Sequence, residues 1–289
     1  MLKTKKNQFD SLNKDAIRRL FANKASVASL IVLSIILIIS VFGSMILPND
    51  LDTVYWDYIQ SKPTTENFLI FGTDSNGRDL LVRTLSGGRV SISVAIIATL
   101  VALVVGVTYG AISGYVGGRT DAVMMRIVDI IYAMPFMFVV ILLVIAFGRS
   151  IMMIYLALGL VEWLDMARIV RGQTLSLKTK EFIISANALG VSNFSIIRKH
   201  IIPNVIGPVV VYMTLTIPKV ILIESFLSFL GLGVQEPNTS WGVLISEGTA
   251  LMEVAPWMLI YPSIFLVVCI LAFNFLGDGI RDAFDPKTR

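Results

Sequence analysis

The chain reads as an all-α integral membrane protein with six transmembrane helices, and three observations carry that reading. Of its 289 residues, 55% are hydrophobic and only 15% charged, with a mean hydropathy of +0.79. The apolar residues fall in long runs, and a helix needs about 20 residues to cross a hydrocarbon layer. Lys and Arg cluster on alternate sides of those runs, as multi-pass topology requires. Helices are expected because irregular backbone has no hydrogen-bond partners in lipid.

Residues 1–24 form a basic leader, with six Lys and Arg between Met1 and Asn23. Phe9, Leu12, Ala16, Leu20 and Phe21 recur at roughly helical spacing, which suits either an interfacial helix or a solvated leader that only sets topology. No small-residue cleavage site follows the first apolar run, so residues 25–47 are expected to be an uncleaved first span. Residues 48–88 make a long extracytoplasmic loop in which Asp74 and Asp79 turn or cap the chain. The second span is the uncharged stretch Val90 to Gly118, and the third is Ile130 to Gly148.

Ile151 to Val161 is short for a fourth span and is interrupted by Glu162 and Asp165, so it either crosses or re-enters. Val205 to Leu232 is the fifth, and Trp257 to Leu276, with interfacial Trp257 and Tyr261, the sixth. Six crossings from an inside N-terminus put eighteen Lys and Arg inside and five outside; if the Ile151 segment fails to cross, the balance inverts to nine against fourteen. The positive-inside rule therefore selects six spans, with Arg149 in a tight turn and both termini cytoplasmic.

One histidine, His200, and one cysteine, Cys269, exclude a structural zinc site, a disulfide or a Cys/His nucleophile pair. Gly72 to Gly77 is followed by Arg78 and Asp79, where a phosphate loop needs Lys and then Ser or Thr. No cofactor is expected on this chain, and any use of ATP requires a partner. Membrane lipid is the expected surrounding, and nucleic acid is not an expected partner.

Ala98, Ala102, Gly106, Gly110, Gly114 and Gly118 recur every four residues, a ridge that admits another helix closely. The ridge winds around its helix, which suits a crossed partner better than a parallel one, either within the subunit or at a subunit contact that slides during gating. In the fifth span, Pro218 removes a backbone hydrogen bond beside Lys219 and Glu224. These two charges lie about 140° apart around a helix and are not a simple pair. Either Lys219 snorkels and Glu224 bonds within the bundle, or the two border a translocation path.

Glu181 to Asn204 is a polar, small-residue segment between apolar runs. Phe182, Ser185, Ala186 and Leu189 share one helix stripe that Gly190 terminates. Ser192 or Asn193 then caps a second helix that Pro203 stops before the next span. Two short cytoplasmic helices result, with small side chains at Ser185, Ala186 and Ala188 that permit close approach to a partner.

The order Glu181, Ala186, Ala188, Leu189, Gly190, then His200-Ile201-Ile202-Pro203-Asn204, resembles the EAA loop of ABC-transporter permeases of the dipeptide, oligopeptide and nickel subfamily. Ser185, Asn187 and Ile202 depart mildly from that pattern. Phe71-Gly72-Thr73-Asp74 with Gly77-Arg78-Asp79, Arg126 to Pro135, Arg168 to Gln173, Glu224 to Gly233, Ser240-Trp241-Gly242 and Leu271 to Pro286 resemble the second permease type of that subfamily.

The resemblance implies a type I importer permease fold: a five-helix core over residues 89–278, a coupling loop at 176–204 and a cytoplasmic tail at 279–289. It also implies a second homologous permease subunit, two ATPase subunits that hold ATP and Mg, an extracytoplasmic solute-binding protein and a peptide substrate in a bacterial cytoplasmic membrane. By that resemblance Glu181, Ser185, Ala186, Ala188, Leu189, Gly190, Val191, Ser192 and Asn193 would engage the ATPase. Solute-binding protein would dock on Asn49 to Gly88 and Val234 to Pro256. The alternatives are a nickel or metal-chelate importer of the same subfamily, an ATP-independent carrier using Lys219 and Glu224 for ion coupling, or a purely structural membrane subunit.

Overall fold

The structure, a computed structural model, describes residues 17–148 and 150–284; most of the leader, Arg149 and the last five residues lie outside them. The interfacial-helix reading of Phe9, Leu12 and Ala16 and the turn at Arg149 fall outside the described residues. Among these, all regular structure is helical. After a helical stretch at 17–22, α1 (Lys24–Ile46) is capped by Asn23, whose side chain accepts from the amides of Ala25 and Ser26. The next, α2 (Leu80–Val116), is capped in the same way by Asp79 through Leu81 and Val82.

There follow α3 (Gly118–Tyr132), α4 (Phe136–Phe147) and α5 (Ile151–Lys178). The short α6 (Glu181–Ala188) and α7 (Asn193–Ile196) lead through a π-helical turn, Ile197–Ile201, into α8 (Ile202–Phe229). A short α9 (Trp241–Ala250) and the long α10 (Trp257–Phe284) complete the fold. Four stretches are long and apolar enough to cross a membrane, Lys24–Gly43, Leu80–Val116, Asn193–Phe229 and Trp257–Phe284, and α3 with α4 makes a fifth if the bent pair is one span.

Several expected boundaries move, each for a physical reason. The second helix begins ten residues before Val90, because Asp79 caps it and the buried Arg83 is neutralised by Asp74 and Glu247. The third expected span is instead two helices bent by 85°. Pro135 lacks an amide donor and biases Met134 away from helix, so the ladder breaks there. Conversely, α5 runs unbroken through Glu162 and Asp165 to Lys178, and α10 continues past Leu276 to Phe284.

The small-residue ridge of α2 packs along α5. A Cβ added at Gly106 would lie 2.6 Å from Met166, and one at Gly114 would lie 2.8 Å from Thr174. At Gly110 it would collide with the Ala167 carbonyl, and Gly159 of α5 answers by lying against Ala98 and Val101. Residue numbers rise together on both helices, so α2 and α5 run parallel and touch from 98 to 114 against 159 to 174. The partner follows the ridge for several turns, contrary to the expectation of a crossed one. Gly118 has left the ridge: the helix breaks at Gly117, and Gly118 (φ 57°) has open space around it. Because α2 and α5 point the same way, the α3–α4 pair is the return stroke between them.

At the end of the bundle where α2 starts, the 49–79 loop is tied down by charge. Asp74 accepts from the amides of Asn76 and Arg78 and pairs with the guanidinium groups of Arg78 and Arg83. Arg83 also reaches Glu247 on α9 at 2.9 Å, and Arg78 reaches Glu236 at 3.0 Å. Asn49 donates to Asp79 at 2.6 Å, and Tyr55 donates to Asn49 at 2.7 Å. Burial pushes the Asp79 carboxyl above its ordinary range, while the donors from Asn49, Leu81 and Val82 pull it back down. Phe71 stacks on Tyr261 with ring centroids 4.0 Å apart, seating the loop on α10.

Gly110→Leu forces a side chain into the Ala167 backbone, so it should lower the thermal midpoint of the detergent-solubilised protein, by a cost of about 1–3 kcal/mol. Gly172→Ala on α5, which meets nothing within 4 Å, should leave the midpoint unchanged or raise it. Asp74→Ala strands donors of Arg78 and Arg83 and should cost about 1–3 kcal/mol by the same measurement.

Candidate functional site, the 181–204 segment

This segment has two faces. Its inner face holds Ile183, Ala186, Ile196 and Ile201, all buried in a cluster with Val107, Ala111 and Tyr115 of α2, Met166 and Val170 of α5, and Val205 and Val209 of α8. The Tyr115 hydroxyl lies 3.4 Å from Asn193 Oδ1, and the Lys178 ammonium sits over the Tyr115 ring. Nearby, Arg171 of α5 grips Asp121 of α3 with two bonds of 2.6 Å, and Ser113 of α2 donates to the same carboxylate. The segment is therefore joined to three long helices at once.

Local chemistry explains its shape. Glu181 sits in the first turn of α6, where a carboxylate complements the helix dipole. The helix closes in a Schellman motif: the Gly190 amide donates to Asn187 O and the Val191 amide to Ala186 O. Gly190 adopts φ 75°, a left-handed geometry that a Cβ disfavours. Ser192 then caps α7 through the Ser195 amide.

The outer face carries Glu181, Ser185, Ala188, Leu189, Gly190, Ser192 and Asn193, all exposed, with Val191 half-buried. Ala186 is corrected: it is 8% exposed and faces the subunit's own core, one residue round the helix from the outward stripe. Two exposed apolar side chains on this segment were missed by the sequence reading besides Leu189 (82% exposed): Phe194 (72%) and Ile184 (57%). The available signal was an apolar residue lying off the inward Ile183–Ala186 stripe. Pro203 does not stop the second helix. The π-helical turn widens the ladder just before it, with the Ile202 amide bonding Ile197 O, and the helix runs from Asn193 to Phe229.

Lys219 and Glu224 are brought to different places. Glu224 is fully buried between α2 and α8, accepting from Ser91 Oγ at 3.0 Å and Ser228 Oγ at 2.7 Å, so the reading in which it bonds within the bundle describes its position. Lys219 does not snorkel. Its ammonium meets Glu162 at 3.0 Å and Asp165 at 3.4 Å, both on α5. In the sequence those carboxylates only interrupt an apolar run, and nothing in their spacing points to Lys219.

Comparisons with known proteins give this geometry its family. A family model described as "Binding-protein-dependent transport system inner membrane component" matches residues 106–289, and one described as "N-terminal TM domain of oligopeptide transport permease C" matches residues 11–63. The chain is 55% identical over 279 residues to the oligopeptide transport system permease protein OppC of Haemophilus influenzae, covering 96% of this chain and 90% of that one. It is 56% identical to OppC of Escherichia coli K12, covering 96% and 92%, and 42% identical to the dipeptide transport system permease protein DppC of Bacillus subtilis, covering 96% and 87%.

An inward-facing structure of the MetNI methionine ABC transporter superposes with a TM-score of 0.58 at 18% identity, covering 71% of this chain and 96% of that one, a likeness of fold alone. The chain is a multi-pass membrane protein with the type I importer fold, and it belongs to the family of binding-protein-dependent transport system inner membrane components, among the oligopeptide and dipeptide permeases.

Proposed function

We propose that the chain is a non-catalytic permease subunit of an ATP-driven, binding-protein-dependent importer of oligopeptides or dipeptides. The carrying observation is that Ile184, Leu189 and Phe194 are exposed on a segment whose inner face shares a core with α2, α5 and α8. Large apolar side chains left exposed on a firmly packed segment suit a contact surface. A push on it reaches three spanning helices through packed side chains that are not freely compressible. The relatives named as oligopeptide and dipeptide permeases support peptides as the cargo.

The reading has six spans: α1, α2, the bent α3–α4 pair, α5, α8 and α10. Parallel α2 and α5 support it, since a chain joining two parallel neighbours must cross back between them. The charge balance supports cytoplasmic termini and a cytoplasmic 181–204 segment. Partner ATPases hold ATP and Mg, and their closure displaces α6 and with it the long helices. A second permease completes the path, and solute-binding protein docks at the opposite end, on the 49–79 loop and α9.

Leu189→Arg and Gly190→Arg should each reduce the ATPase that co-purifies with the chain at least tenfold, while membrane insertion is retained. Full ATPase recovery with either variant would defeat the docking assignment. Ala186→Leu, which overfills the inner face, should instead lower the thermal midpoint, at a cost of about 1–3 kcal/mol.

A further inference from the structure

The Lys219 cluster is not explained by packing. Glu162 is 1% exposed, yet its Oε1 has no hydrogen-bond partner among the described residues. Its other oxygen takes the Lys219 ammonium, which is shared with Asp165. One ammonium between two carboxylates leaves a net negative charge and an unfilled acceptor, an arrangement costly at depth unless another donor visits.

Depth and exposure say where that donor comes from. On the six-span reading, Glu162, eleven residues and roughly 17 Å into α5, falls near the middle of a hydrocarbon layer about 30 Å thick. Lys219 is 47% exposed there. A half-exposed ammonium at that depth faces a water-filled cavity or protein rather than lipid. A cavity of about 290 Å³ does open beside it, at the α3–α4 bend, walled by Ile131, Tyr132, Met134, Phe136, Val139 and Ile223. The Phe136 ring centre is 5.7 Å from the Lys219 nitrogen, within reach of cation–π attraction.

The site is thus shaped around a primary ammonium, and the one present hangs on a flexible four-carbon stem. We propose that Glu162, Asp165 and Phe136 form a docking point for the α-ammonium group of a peptide in transit, with Lys219 as the tethered ammonium that offsets one of the two carboxylates at all times. The proposal rests on the peptide-importer reading. The peptide's ammonium donates to the open Glu162 Oε1 beside Lys219, so that two ammonium groups face two carboxylates and the site becomes neutral. The apolar cavity wall accommodates the first side chain of the peptide.

The test uses the complete transporter, with its second permease, ATPases and binding protein, reconstituted in liposomes and assayed for ATP-dependent uptake of tri-alanine. The double variant Glu162→Gln/Lys219→Met removes the pair isosterically. If the pair only holds helices together, uptake stays at the wild-type rate, which overturns the proposal. If it docks substrate, the assembled variant shows at least tenfold lower turnover at saturating binding protein. Should that variant not assemble, Asp165→Asn at its partly exposed position decides: at least threefold lower turnover is expected, and unchanged turnover overturns the proposal. Absence of uptake by the wild-type complex would strike the importer reading itself, a result separable from either variant's.

Discussion

The fold depends on the close approach of α2 and α5. Without side chains at Gly106, Gly110 and Gly114, the backbone of α5 lies directly against α2 over several turns. In a membrane no hydrophobic force draws helices together, so dispersion across such small-residue seams supplies the cohesion. The seam sets the direction of α5, and with it the position of Glu162, Asp165 and Arg171. It also forces α3 and α4 to return the chain between them.

Charge is handled by fixed pairing rather than by solvent. At one end Asp74 gathers Arg78 and Arg83 and thereby fastens the long loop to α9. At the other, Asp121 and Arg171 lock α3 to α5 beside the 181–204 segment. Between them, Lys219 spans from α8 to α5. Two of these ties are closed networks with their acceptors filled. The middle one alone leaves a buried carboxylate oxygen without a donor, which separates it from the structural pairs.

The 181–204 segment has two faces of different character. The inner face is as buried as the bundle core and includes residues of α2, α5 and α8. The outer face ends in three large apolar side chains. The helix runs continuously from Asn193 to Phe229, so Phe194 and the far end of α8 belong to one rod with no break at Pro203.

The sequence by itself determined the class, the long apolar helices and the stop at Gly190, and it left Asp79 as either a turn or a cap. These follow from local rules: apolar run length, side chains that bond nearby amides, and the left-handed backbone that glycine tolerates. The small-residue ridge was equally legible, though not its partner or that partner's direction. Tertiary structure alone decided that Lys219 meets Glu162 and Asp165, 57 and 54 residues away, while Glu224 turns to serine hydroxyls. It also turned Ala186 inward and carried the helix through Pro203. Each of these depends on which helices lie side by side, and helical periodicity places a residue on a face without saying what that face will meet.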